Sequence, residues 1–554
     1  MLDDLNYNNV LNVIECLDVI DSGMFAATSR RHLYLVSEYR RLRGPEVAAA
    51  SSWERDGGDG DGRQRSARDV ASAPMRKMQK PPNLVLAFNG HECGSELGDE
   101  LFKVLPPDAV VLGACARSIQ ANIGTKDGGM AVESSSKASV MFASFPNADI
   151  RPFSFFGHHG RDQHYGRDPV EMRRGFEAYA EELSFESERH WRSIIVYAAG
   201  MGGARFVESF VSVMQSRLPN VAIVGGICDG GYVTRDVLSR SNLMRSTVRR
   251  LRMIIRNCGG NERQMSAAVE KSDLVDLALR LQAQHSRVGM NWVEDGIFGV
   301  VLGGDVPVRS IVSRGVRSIT HDVPQPSSPY VVKTAELIPK QEGWHSESVH
   351  LIRDFLHKET GRTIDAQDIL NRANVEPEFF GVRRPHEDGF ELHMLGQGAL
   401  LVPTDGSPAQ EGSLVGAEVD FFYLDGEACC SDVDRTVSML REQTRGEEIL
   451  GAVMFSCSGR GPMRGGLIGE DMADATRFAN AFPGVPCLGY YAGGEIGPTA
   501  LAGNRNVFRQ GRAAVQGFTA VFCLFIVPVE RRDYALDDSP DAVRAFVDER
   551  LSTR

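Results

Sequence analysis

The sequence predicts a mixed α/β protein, built from repeated strand-helix-strand-strand units with mixed sheets and preceded by a small all-helical module. Two observations carry that prediction. The first is a pattern that returns three times: LVLAF (84–88), the helix-like GSELGDELFKVL, VVLGAC (110–115) and ASVMFASF; then IIVY (194–197), ARFVESFVSVMQSRL, VAIVGGICDGG and GIFGVVLGGD; then LGAVMFSC, DMADATRFANAF, VPCLGYYAGGEIGP and FTAVFCLFIV. Short apolar runs bounded by glycine and polar turns read as buried strands, and the amphipathic stretches between them as helices. The second is the N-terminal segment, where Val10, Leu11, Ile14, Leu17, Met24, Ala27, Leu33 and Val36 recur at helical spacing around a break at Asp21-Ser22-Gly23.

In chain order, residues 1–43 read as the helical module. Residues 44–82, rich in Gly, Asp, Arg and Ser, read as a disordered linker, because so little apolar surface cannot offset the entropy of ordering. An N-terminal α/β domain follows over 83–330, a C-terminal one over 331–530, and a tail over 531–554. At 554 residues the chain exceeds the roughly 250–300 that one core supports, which favours several units. The stretch 236–288 interrupts the second repeat with RSTVRRLRMIIRNCGG, a helical insertion with Met244, Val248, Leu251 and Ile255 on one stripe. It serves either as a solvated surface helix or as an arm for an acidic partner or a nuclear localisation patch.

A net charge of −12 gives no electrostatic footprint for nucleic acid, and no apolar stretch approaches the roughly 18 residues of a membrane helix. The ten cysteines form no C-x-x-C pair, so neither a zinc framework nor a disulfide scaffold is signalled. A cytoplasmic protein with access to the nucleus is expected, with no cofactor and no metal. FGHHGRDQHYGRDP, with His158, His159, His164, Asp162 and Asp168, lacks helical His register and reads as a surface loop rather than a metal site. P-loop, dinucleotide-binding and nucleophile-elbow signatures are absent, and a non-catalytic protein is expected.

The candidate ligand site lies in the third repeat. A strand-helix-strand crossover opens both strand exits on one edge of the sheet, where ligands bind. One exit reads FSCSGRG with Cys457, Gly459, Arg460 and nearby Arg464; the other reads GYYAGGEIGP with Tyr490, Gly493, Glu495 and Gly497. The arginines suit a carboxylate or phosphate, Glu495 suits a cation, and the glycines leave room for close approach; together they suit a zwitterion such as an amino acid. Alternatively, Glu495 pairs with Arg460 or Arg464 in a structural salt bridge. Cys457 is either a buried strand cysteine or a nucleophile in search of a histidine base.

Over about 82–528 the sequence resembles the FIST family: PPNLVLAFNG, AVVLGACARS, SVMFASFP and VAIVGGI resemble its N-terminal part, MFSCSGRG and GYYAGGEIGP its C-terminal part. That resemblance implies a sensory module for small, amino-acid-like ligands. The N-terminal segment resembles an F-box, with Leu11, Ile14, Leu17, Asp21, Met24, Ala27, Ser29, Arg30 and Val36 at its marks. By that likeness the chain is a substrate receptor of an SCF (cullin-RING) ubiquitin ligase. Leu11, Ile14, Leu17 and Met24 would dock on Skp1, and the FIST region would hold protein substrates for ubiquitination and proteasomal degradation.

Overall fold

The structure is a computed structural model and describes residues 36, 44–52, 66–90, 96–106, 109–122, 132–134, 137–146, 148–155, 169–185, 191–234, 290–304, 306–318, 330–339, 348–366, 368–369, 378–384, 391–395, 400–404, 414–461, 468, 473–499 and 512–528. The expected helical module (apart from Val36), the insertion 236–288, the histidine-rich loop at 156–168 and the C-terminal tail lie outside them.

Three copies of one unit make up most of the chain. The first comprises β1 (Glu46–Ser51), α1 (Ala67–Lys77), β2 (Leu84–Gly90), α2 (Glu96–Val104), β3 (Val110–Ala116), β4 (Ile119–Asn122), β5 (Val132–Ser134) and β6 (Ala138–Ser144). The second repeats that order as β7 (Ala148–Phe155), α3 (Pro169–Phe185), β8 (Trp191–Ala199), α4 (Gly200–Arg217), β9 (Ala222–Cys228), β10 (Gly230–Thr234), β11 (Met290–Val293) and β12 (Gly296–Gly304). The third opens with β13 (Val308–Ser313) and is interrupted by β14 (Val316–Ser318), β15 (Tyr330–Pro339), β16 (Ser348–His357), β17 (Thr363–Asp365), β18 (Phe379–Arg383), β19 (Glu391–Met394), β20 (Leu400–Thr404) and β21 (Glu418–Leu424). It resumes with α5 (Gly426–Gln443), β22 (Glu447–Cys457), α6 (Ala473–Ala481), β23 (Cys487–Ala492), β24 (Glu495–Pro498), β25 (Ala513–Gln516) and β26 (Ala520–Pro528).

Each unit lays four strands side by side in one order: β1-β6-β2-β3, β7-β12-β8-β9 and β13-β26-β22-β23. In each, the two strands flanking a helix run parallel (β2 with β3, β8 with β9, β22 with β23), and the last strand closes antiparallel on the first of that pair. Two further strands complete each of these three sheets, and they come from another unit. The first sheet ends in β10-β11 of the second unit, the second sheet in β24-β25 of the third, and the third sheet in β4-β5 of the first. The exchange is cyclic.

The inner faces of the three sheets meet in one core that runs from Ala49 to Phe525 and contains Phe88, Tyr197, Phe455 and Tyr490. Pairs of helices cover the outer faces. Val70 and Leu101 pack on the first sheet, Phe176 and Phe210 on the second, Val437 and Phe478 on the third. An antiparallel sheet formed by β14–β21 has its own core around Phe355, Phe380 and Phe421.

Two expectations are corrected. The span 44–82 contains β1, paired antiparallel with β6 along six residues, and α1, whose N-cap Ser66 and Asp69 form a capping box. Its few apolar residues suffice because small ones (Ala48, Ala49, Ala50, Val70, Ala71) are all placed inward. A boundary at 330/331 also does not separate two cores, since strands from both sides share the second and third sheets and the inner core.

Candidate functional site

The third unit places its two motifs together by the crossover expected from sequence. β22 and β23 run parallel in register from Ala452 opposite Cys487 to Cys457 opposite Ala492, so both strands leave the sheet at one edge. The Ser458 N–H donates to the Ala492 carbonyl at 2.8 Å and ties the two exits. From there β24 crosses to the second sheet, where Glu495 stands opposite Gly226 of β9. Cys457 in turn donates its backbone N–H to Thr519, just ahead of β26.

Glu495 is fully buried. Its Oε2 accepts the backbone N–H of Thr519 at 3.0 Å and the Thr519 hydroxyl at 2.9 Å. Its Oε1 has no hydrogen bond of good geometry among the described residues, the Cys457 thiol being the side-chain donor beside the carboxyl. Burial pushes this carboxyl up to about 8, against the opposing pull of the Thr519 donors, Arg460 and Cys457. The half-buried Cys457 thiol is pushed up to about 12, first by burial and then by the Glu495 carboxylate. Thiol and carboxyl therefore act on one another.

The expected salt bridge between Glu495 and Arg460 is replaced by another. The Arg460 guanidinium donates from Nε and Nη2 to Asp474 of α6 at 3.0 and 2.7 Å, both side chains being buried. Burial alone would lower the arginine; the Asp474 carboxylate outweighs it and holds the cation charged. The reason is connectivity: α6 starts over the exit of β22, whereas Glu495 leaves with β24 for the neighbouring sheet. Arg460 also donates from Nη1 to the Phe518 carbonyl at 3.4 Å and lies 6.0 Å from the centre of the Phe518 ring. Phe518 has φ 59°, in the left-handed region that a bulky residue rarely occupies. Phe379 of β18 packs on it at 6.1 Å, so the inserted sheet roofs the turn.

The remaining candidates are placed as follows. Gly493 is exposed and donates its N–H to Ile227, while Tyr490 lies in the inner core and donates its hydroxyl to Gly226 at 2.7 Å. Gly459 and Gly497 do not leave room for a ligand: a Cβ there would meet the Phe518 ring at 3.2 Å and Val521 at 2.6 Å, so the molecule fills those gaps itself. Arg464, like Leu11, Ile14, Leu17 and Met24, lies outside the described residues. Sequence reasoning missed Asp474, Phe518 and Thr519. The acid opening α6 was a legible sign, since helix starts favour acids; the left-handed Phe518 left none.

The threefold repetition shows how local this chemistry is. By strand register, the counterparts of Cys457 are Gly90 and Ala199, and those of Glu495 are Ile119 and Gly231. One unit in three pairs a thiol with a carboxyl.

A FIST C domain matches residues 413–498, which run from just before β21 to the end of β24 and include Cys457, Arg460, Asp474 and Glu495. An uncharacterized protein of Mycobacterium tuberculosis is 29% identical over 239 residues, 42% of this chain and 54% of the relative. An uncharacterized protein of Mycobacterium bovis is 32% identical over 245 residues, again 42% of this chain and 54% of the relative. The chain thus spans about half the length of the curated relatives it matches. No described helix is long and apolar enough to cross a membrane, and the described residues hold no group of metal ligands.

Proposed function

We propose that the chain is a sensory or signalling module that recognises a small, amino-acid-like ligand at the exits of β22 and β24. The observation that carries this reading is Glu495 Oε1, buried and without a well-placed partner among the described residues, because leaving a buried polar atom unmatched costs about 1–3 kcal/mol and calls for a group that satisfies it. Nearest the surface are Gly493, two residues from Glu495 and exposed, and the partly buried Cys457. Arg460 is committed to Asp474, so it shapes the site and does not take the ligand's anion. No catalytic step is proposed: a thiol pushed up to about 12 keeps its proton at neutral pH and is a poor nucleophile. Thermal melting of the full chain against the twenty amino acids is the direct test. Stabilisation by one of them, lost in Glu495→Gln, is expected; a panel that moves neither protein overturns the reading.

A second reading concerns residues 1–43, whose F-box-like spacing would let Leu11, Ile14, Leu17 and Met24 dock on Skp1. The FIST region would then hold substrates of an SCF ubiquitin ligase, in the cytoplasm and nucleus, with ligand recognition and degradation joined in one chain. Capture of purified Skp1 by the full chain, abolished by Leu17→Asp, is the expected result; capture that survives the buried charge rules the F-box interface out.

A further inference from the structure

The ligand's charge can be read from what faces Glu495. Thr519 supplies both donors to Oε2, Arg460 is held by Asp474, and the Tyr490 hydroxyl is turned to the Gly226 carbonyl. The Cys457 thiol on β22 acts on the same carboxyl as a side-chain donor, and Tyr490, which Glu495 influences in turn, lies beside Cys228 of β9 and Tyr197 of β8; none of these bears a positive charge. Gln516 of β25 stands opposite Glu495 in register and donates its side-chain N–H groups to the carbonyls of Gly497 and Pro498. Among the described residues, the groups that act on this carboxyl are therefore neutral donors and the Cys457 thiol, and Arg460 is already neutralised by Asp474.

We infer that Glu495 Oε1 receives the ammonium group of a cationic ligand, and that the carboxyl releases its proton to solvent as the cation enters. This rests on the small-ligand reading above and deepens it. The step balances without an oxidant or a co-reactant: the carboxyl O–H bond breaks, its proton leaves to bulk water, and the ligand's N–H donates to the carboxylate so formed. A buried carboxylate alone is disfavoured, while a carboxylate closed on an ammonium is neutral as a pair, so ligand and proton compete for one site. Since burial holds the empty carboxyl protonated up to about pH 8, affinity for a cation rises about tenfold per pH unit below that point and levels off above it.

Three probes of one size separate the alternatives: n-propylammonium, propionamide and propionate, titrated into the full chain by calorimetry between about pH 6 and about pH 9 in buffers of different ionisation heat. Expected are binding of n-propylammonium above the other two, the rising then level pH profile, release of up to one proton, and loss of both affinity and slope in Glu495→Gln that melts like the parent. Thr519→Val, which keeps the carboxyl and removes one donor from it, should move the level region to higher pH. Preference for propionate or propionamide, or n-propylammonium binding with neither slope nor proton release, overturns the inference and leaves the small-ligand reading standing. If none of the three probes and no amino acid binds, both fall.

Discussion

Arg460 and Asp474 form a buried ion pair whose value lies in being complete. Replacing Asp474 by Asn keeps the shape but leaves a guanidinium without its counter-charge, and removing one member of a buried pair costs about 3–5 kcal/mol. Urea denaturation of Asp474→Asn should show that loss, and an unchanged midpoint would mean that water reaches the arginine. Glu495 acts in the opposite sense. Its carboxyl titrates near 4.5 when exposed and about 8 when folded, so between those values the folded chain holds the proton more firmly than the unfolded one. The group's contribution is fully present below about pH 4.5, drains away as pH rises towards 8 and stays lost above. Glu495→Gln should remove that component of the decline in stability, measured as the difference between the two pH profiles.

Among the elements, the parallel strand pair at the site depends on one glycine. A Cβ on Gly489 would stand 1.7 Å from the Met454 carbonyl oxygen of β22, and the equivalent Gly225 meets Val196 at the same distance. Gly489→Ala should therefore cost about 3 kcal/mol or more by forcing β23 away from β22, and its circular dichroism melt should drop accordingly. These elements were the legible ones: apolar runs such as LGAVMFSC and FTAVFCLFIV are strands buried on both faces, and their hydrophobicity alone announces them. α1 was not legible, because Ala-rich packing with a Pro74 inside the helix and glycines before it resembles a linker in composition. The inserted sheet escaped for a different reason. Its strands β15 and β16 mix buried, half-buried and exposed positions and carry charged residues such as Lys333, Glu336 and Arg353, giving no apolar run to notice. At the site, Glu495 and Cys457 were visible as chemistry, whereas the true partner of Arg460 depended on where α6 begins, a tertiary fact.

For the whole molecule, the cyclic trade of strands makes the two halves of the chain mutually dependent. Cutting within 319–329 should yield fragments that fail to fold singly but co-purify when expressed together, because β4-β5 belongs to the third sheet and β24-β25 to the second. Pull-down through a tag on one fragment checks this, and a fragment that melts cooperatively by itself would show that its sheet tolerates a missing edge. The same trade sets a timetable for synthesis. As the chain leaves the ribosome, the first sheet cannot close until β11 has emerged at Val293, the second waits for β25 at Gln516, and the third for β26 at Pro528. For most of translation the nascent chain thus carries apolar strands with open edges, the circumstance in which misassembly competes with folding and chaperones earn a role. The surroundings of Glu495, drawn from β9, β22 and the turn before β26, are assembled only when nearly the whole chain has been made.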